Sequence, residues 1–202
     1  YGVDVTIIEM LPHILPNEDE EAAAELVKAF RKRGVKVHAG TKVKSVTKTE
    51  TGTSVLLESE KGEETVEAEI TLVAIGFKPN SKGIGLEDVG VALDQRGFVQ
   101  VDDRMATNLP GIWAIGDLTG KLLLAHAASA MGQICAENIA GQEERKLDYR
   151  MIPRAVFSDP QVASFGYTEA QAKEAGFDVK VGKTFFIANG KALGLDAGTG
   201  FA

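Results

Sequence analysis

Residues able to do ligand chemistry are few in this chain, and their spacing is suggestive. The apolar run Ile112-Trp113-Ala114-Ile115 is followed by Gly116-Asp117. This pattern predicts a buried strand with a carboxylate at its carboxyl end, where open α/β sheets bind their ligands. Thr107 and Pro110 lead into the run, and an Ala/Ser-rich helix begins about eight residues beyond it, at Ala125-His126. The N-terminus of such a helix directs unpaired N–H groups and a positive dipole at an electron-rich ligand. Glu9 closes a second apolar run, Val5-Thr6-Ile7-Ile8. By itself such a carboxylate is a solvated strand end; in a dinucleotide-binding unit the same position accepts hydrogen bonds from ribose hydroxyls. Gly76 follows the apolar stretch Thr71-Leu72-Val73-Ala74-Ile75 and reads either as a turn glycine or as a point of close backbone approach.

The remaining reactive side chains point to no chemistry of their own. Cys135 is the single cysteine, so neither an internal disulfide nor a Cys-x-x-Cys pair can form. It falls on the apolar face of a helix, the place of a small buried hydrophobe. His13, His38 and His126 show no metal-ligand spacing, and His126, read alone, is a surface or satisfied core histidine and not an acid/base.

These residues require elements to position them. Val3 to Glu9 predicts a parallel strand, with Pro12 and Pro16 in the loop after it. Asn17 with Glu20 predicts a capping box, Ala22, Leu26, Ala29 and Phe30 an apolar helix face, and Gly34 the helix stop. Val35 to His38 completes a strand–helix–strand unit. Lys42–Thr49, Ser54–Glu60 and Thr65–Ala74 read as an antiparallel ribbon, with turns at Thr51-Gly52 and Lys61-Gly62. Phe98 to Val101 is a short strand, and Ala125 to Ala140 a helix stopped by Gly141. Glu143-Glu144-Arg145-Lys146 is a charged surface stretch. Ala155 to Phe157, Val162 to Tyr167, a helix capped by Thr168 with Gln171 and ended by Gly176, and Val179 to Ala188 read as the opening of an α+β unit.

Composition bounds the function. The chain has 202 residues, 44% hydrophobic and 25% charged, with net charge -7 and an isoelectric point near 5.1. This acidic balance argues against nucleic acid and anionic membranes as partners. No apolar run approaches the roughly 18 residues of a spanning helix, and no signal segment opens the chain, so cytoplasmic residence is expected.

Six segments, in order, resemble the pyridine nucleotide–disulfide oxidoreductases: Val5 to Glu9, Gly34 to Val46, Ala74 to Asn80, Ala106 to Asp117, Leu123 to His126 and Pro153 to Thr168. The resemblance is nearest to members that oxidise a dihydrolipoyl dithiol through an active disulfide and a flavin, passing hydride to NAD. It implies an α/β fold: part of a dinucleotide-binding sheet for FAD and NAD with a β-ribbon, then the start of an α+β dimerisation domain. It divides the chain into residues 1–80, the C-terminal part of an NAD-binding domain; 81–148, the C-terminal part of an FAD-binding domain; and 149–202, the opening of a dimerisation domain.

The site residues carried over are Asp117, Leu123, Leu124, Ala125 and His126 toward FAD, and Glu9, Val43 and Gly76 toward NAD. Asp117 would hold the ribityl chain, Glu9 the adenosine ribose, Val43 the adenine, and the Gly76 backbone the nicotinamide nucleotide. Where many members have Arg after this glycine, the chain has Phe77 and then Lys78. The family's cysteine pair, acid/base dyad and first Gly-rich turn have no counterpart among these residues. The resemblance therefore implies a piece of a larger enzyme, without turnover of its own, whose whole form is a homodimer able to join a 2-oxo acid dehydrogenase complex. Other expectations are a mercuric reductase, glutathione reductase or NADH oxidase relative, or a non-catalytic module that self-associates.

Overall fold

The structure, a computed structural model, describes residues 2–141 and 145–202. In chain order its regular elements are β1 (Thr6–Ile8), α1 (Glu20–Lys32), β2 (Lys36–His38), β3 (Lys42–Lys48), β4 (Thr53–Ser59), β5 (Gly62–Ala68), α2 (Ala125–Ile139), β6 (Arg154–Val156), β7 (Val162–Ser164), α3 (Glu169–Glu174) and α4 (Gly190–Gly194). They fall into two compact units, one of residues 1–72 with 153–202 and one of residues 73–152. Glu143 and Glu144 of the expected charged stretch lie outside the described residues.

The first unit opens with the expected strand–helix–strand. β1 pairs parallel with β2, Thr6 opposite Lys36 and Ile8 opposite His38. Both strands are three residues long, shorter than the apolar pattern suggested. α1 is capped by Asp19, whose carboxylate accepts from the Glu21 N–H, and not by Asn17. Asp19 prevails because the chain before it is held in a turn, the Glu18 N–H donating to the Leu15 carbonyl at 3.0 Å, so the helix begins only at Glu20, with Glu20 and Glu21 in a first turn that suits the helix dipole. Ala23 and Leu26 bury the apolar face of α1.

β3, β4 and β5 form the expected antiparallel ribbon in the order β3-β4-β5, with a register shift between Val43 and Ser45. Val55 and Leu57 on the central strand are its buried residues. The third strand, however, ends at Ala68. Ile70, Leu72 and Val73, read as its continuation to Ala74, and Ile75 just beyond are unpaired and 83%, 86%, 69% and 95% exposed. Their β-branched and apolar character suits a strand buried on both faces, and no described segment pairs with them.

β6 and β7 pair antiparallel, Arg154 opposite Ser164. α3 carries the predicted capping box: the Thr168 hydroxyl accepts from the Gln171 N–H at 3.2 Å, and the Gln171 carboxamide accepts from the Thr168 N–H at 3.0 Å. Val179 to Ala188 does not form the expected strand. It supplies a single bridge, Phe185 to Phe201, where Thr184 and Ala202 exchange N–H···O bonds of 2.8 and 2.9 Å.

The second unit is built on α2. Met105, Met131 and Cys135 form its buried cluster, with Trp113, Leu147 and Tyr149 packed around them. The expected strands at Phe98–Val101 and Ile112–Ile115 reduce to isolated bridges, Leu93 to Val99 and Ala106 to Trp113. Ile112 and Ile115 are 37% and 42% exposed, so the apolar run is not the buried strand its composition suggested. Its ladder is one-sided, limited to bonds such as Ala114 N–H to the Met105 carbonyl and Thr107 N–H to the Ile112 carbonyl, both 3.1 Å.

Candidate functional site

The segment leading to Asp117 is fixed by side chains with short reach. Thr107 donates its hydroxyl to the Ile112 carbonyl at 2.8 Å, closing the turn through Pro110 and Gly111. Asn108 accepts from the Ala92 N–H at 2.7 Å and donates to the Gly90 carbonyl at 2.9 Å, tying the turn to its neighbouring loop. Asp117 itself lies in a 3-10 turn, Gly116–Thr119, and not at a strand end. The turn closes on itself: Thr119 donates its hydroxyl to the Gly116 carbonyl at 2.8 Å, and Gly120 its N–H to the Asp117 carbonyl at 3.1 Å.

Small residues let α2 approach this turn. A Cβ on Gly116, where φ is +71°, would lie 3.4 Å from the Ala128 Cβ, and one on Gly132 would lie 3.3 Å from Ile115 Cδ1. Ala128 and Gly132 are four apart and so share a helix face. The approach brings Gly116-Asp117 beside the first turns of α2. Leu124 occupies the N-cap of α2 and offers no side-chain acceptor. The first N–H groups of a helix lack intrahelical partners, and here Ala125 and His126 are exposed. Asp117 is exposed too, and its carboxylate has no hydrogen-bond or ion-pair partner among the described residues. A carboxylate acceptor next to a helix N-terminus can grip a polyol while favouring negative charge beyond it. Leu123 and Leu124, half-buried, form the apolar lead into the helix.

In the other unit Glu9 is held in place. Its N–H donates to the His38 carbonyl at 2.9 Å, its carbonyl accepts from the Thr41 N–H at 2.9 Å, and its carboxylate Oε1 accepts from the Leu11 N–H at 2.8 Å. One carboxylate oxygen is thus engaged by the backbone. The bond to Thr41 puts Glu9 close to the start of β3, where Val43 is 43% exposed opposite Leu57. Gly76, in the unit of residues 73–152, has φ +131°, a conformation reserved for glycine, and a Cβ there would meet nothing within 4 Å. Backbone conformation therefore demands this glycine; packing does not.

Cys135 is buried, and desolvation pushes its thiol above the ordinary range. Among the described residues no three His, Cys, Asp or Glu side chains are grouped to hold a metal ion, and no helix is long and apolar enough to cross a membrane. The sequence did not single out Phe98, Gly120 and Ala128, which shape the Asp117 turn. A glycine three residues past Asp117 was the one available signal.

A parallel strand–helix–strand with a ribbon, and a hairpin opening an α+β segment, define a mixed α/β protein. The chain belongs to the pyridine nucleotide-disulphide oxidoreductase family: residues 1–132 match that family and residues 152–202 match its dimerisation domain. Curated relatives named dihydrolipoyl dehydrogenase include one from Mycobacterium leprae, 52% identical over all of this chain and 43% of the relative. One from Corynebacterium glutamicum is 49% identical over all of this chain and 44% of its own length. Among solved structures, LpdA from Mycobacterium tuberculosis superposes with a TM-score of 0.88 at 32% identity, covering 99% of this chain and 43% of that one. The HOCl-induced flavoprotein disulfide reductase RclA from Escherichia coli gives 0.85 at 30% identity, covering 99% and 45%. This chain thus spans less than half the length of the relatives it matches.

Proposed function

We propose that the chain forms part of an FAD- and NAD-dependent dihydrolipoyl dehydrogenase. The observation that carries this reading is identity of 52% along the whole chain to a relative of that name. The close approach of Gly116 to Ala128, which puts Asp117 beside the start of α2, supports it. The residues present fit a flavin: Asp117 would accept hydrogen bonds from ribityl hydroxyls, and the backbone at Leu123, Leu124, Ala125 and His126 would line the ring. The start of α2 would favour negative charge there. Glu9 would accept from the adenosine ribose and disfavour a 2′-phosphate, Val43 would pack on the adenine, and the Gly76 backbone would pass the nicotinamide nucleotide. FAD, when bound, supplies the two-electron chemistry linking dithiol oxidation to hydride transfer onto NAD.

In the proposed division, residues 1–80 serve the NAD-binding domain, 81–148 the FAD-binding domain and 149–202 the dimerisation domain. The working enzyme would be a cytoplasmic homodimer that joins a 2-oxo acid dehydrogenase complex. The 202 residues alone would not turn over, because their one cysteine cannot form an active disulfide. A second reading, another flavoprotein disulfide reductase of the family, is favoured by the likeness to RclA.

A chimera separates the readings. The matched 43% of the M. leprae relative is replaced by this chain, and NAD reduction is assayed with dihydrolipoamide. Robust NAD-linked turnover, lost with NADP, is expected. A folded, flavin-bound chimera inert toward dihydrolipoamide would shift the assignment to another reductase.

A further inference from the structure

Helix α1 and the β6–β7 hairpin are more than a hundred residues apart in sequence, yet a buried charge joins them. Glu18, 8% exposed, stands just before α1 with both carboxylate oxygens engaged. Oε1 accepts from Arg154 Nε at 3.0 Å, and Oε2 accepts from the Ser164 hydroxyl. Arg154 Nη2 also donates to Ser164 Oγ at 3.0 Å and to the Asn17 carbonyl at 3.5 Å. Arg154 and Ser164 face each other across the hairpin, so Glu18 grips one rung of it from both strands. The Glu18 N–H is itself held by the Leu15 carbonyl at 3.0 Å, and Leu15 has the unusual φ of +55° for a non-glycine residue.

One further ion pair joins the end of α1 to the hairpin loop, Arg33 to Asp159, and another joins α1 to the segment after α3, Glu21 to Lys183, but Asp159 and Glu21 are 89% and 58% exposed. Exposed pairs contribute little, whereas removing one partner of a buried, hydrogen-bonded pair leaves a costly unpaired charge. The Glu18 cluster is therefore the contact that decides whether the two segments separate.

We propose that Glu18, Arg154 and Ser164 form a latch through which α1, in the segment proposed for nucleotide binding, and the β6–β7 hairpin, in the segment matching the dimerisation domain, open and close as one cooperative unit. The coupling is a property of this unit and does not depend on which reductase activity the chain serves. Glu18 acts as a positioning residue for the hairpin, and Arg154 for the start of α1.

Amide hydrogen exchange of the full 202-residue chain tests this, with Glu18→Gln, Ser164→Ala and the double variant. Glu18→Gln is expected to speed exchange about tenfold or more in residues 20–32 and 154–164 together, leaving the β3–β5 ribbon unchanged. The double variant is expected to match Glu18→Gln, because both changes disable one latch. Acceleration confined to the segment carrying each substitution, or effects that multiply in the double variant, would overturn the proposal. If Glu18→Gln removes protection from the ribbon as well, Ser164→Ala decides. Faster exchange in α1 from this hairpin substitution supports the latch, and unchanged α1 exchange refutes it.

Discussion

Gly120 closes against the ring of Phe98: a Cβ at position 120 would lie 2.6 Å from Phe98 Cγ, and the backbone there has φ +65°. Phe98 is 4% exposed, and Val99 beside it donates its N–H to the Leu118 carbonyl at 2.9 Å. The turn carrying Asp117 is thus clamped from below by an aromatic ring. Gly120→Ala is expected to destabilise the unit by roughly 1–3 kcal/mol, through overpacking and a left-handed backbone. Trp113 is the only tryptophan and lies in the same unit, so its fluorescence during urea unfolding reads the change. Phe98→Leu added to Gly120→Ala should recover part of the loss; an unchanged midpoint for Gly120→Ala would contradict the clamp.

Asp102 is expected to contribute to the acid sensitivity of this unit. Burial raises its carboxyl pKa, but hydrogen bonds from the Ala106 and Arg104 N–H groups, then the Arg104 guanidinium, outweigh that and hold it below the usual range. A depressed pKa contributes stability above the unfolded value, about 3.9, and that stability is lost as pH falls through the folded value. The Asp102 turn also keeps buried Met105 at φ +72°. Acid unfolding followed by Trp113 should steepen below about pH 4, and Asp102→Asn should flatten that limb. An identical acid limb in the variant would remove Asp102 from the account.

Cys135 should be chemically quiet. It is 7% exposed and burial raises its thiol pKa, so little thiolate exists at neutral pH. An aromatic disulfide reagent should label it at least about tenfold more slowly in the native chain than in urea. Equal rates would mean that α2 does not bury it.

The unpaired apolar tract from Ile70 to Phe77 should drive self-association. Extended segments with exposed apolar side chains template pairing with other chains. Leu72→Lys with Ile75→Lys should lower concentration-dependent association in sedimentation velocity, with stability altered by no more than about 0.5 kcal/mol, since both side chains are exposed. Undiminished association would place its cause elsewhere.

Local signals in the sequence were legible where local physics decides. Thr168 with Gln171 makes its capping box because both partners lie within one turn, and the ribbon follows from alternation and glycine turns. Asn17 and Glu20 had the same spacing, yet Asp19 won the cap, because the choice between adjacent candidates depends on how the chain enters the helix. Ile112–Ile115 and Ile70–Ile75 have strand composition, but a ladder requires a neighbouring strand, and composition does not report one. Glu18 and Arg154 carried no signal at all, being 136 residues apart. For the site, Asp117 and the start of α2 could be read from the Gly-Asp run and the helix behind it. The Phe98 clamp could not, since it depends on packing between loops.

Flavin content tests the central claim most directly: that Gly116-Asp117 and the start of α2 form one part of a flavin site completed by residues outside this sequence. Visible flavin absorbance per polypeptide is measured for the purified 202-residue chain, for the chimera with the M. leprae relative, and for the chimera carrying Asp117→Ala. The account predicts a colourless chain, a yellow chimera and a chimera depleted of flavin when Asp117 is replaced. Stoichiometric flavin on the isolated chain, or full flavin retention in the folded Asp117→Ala chimera, would contradict it.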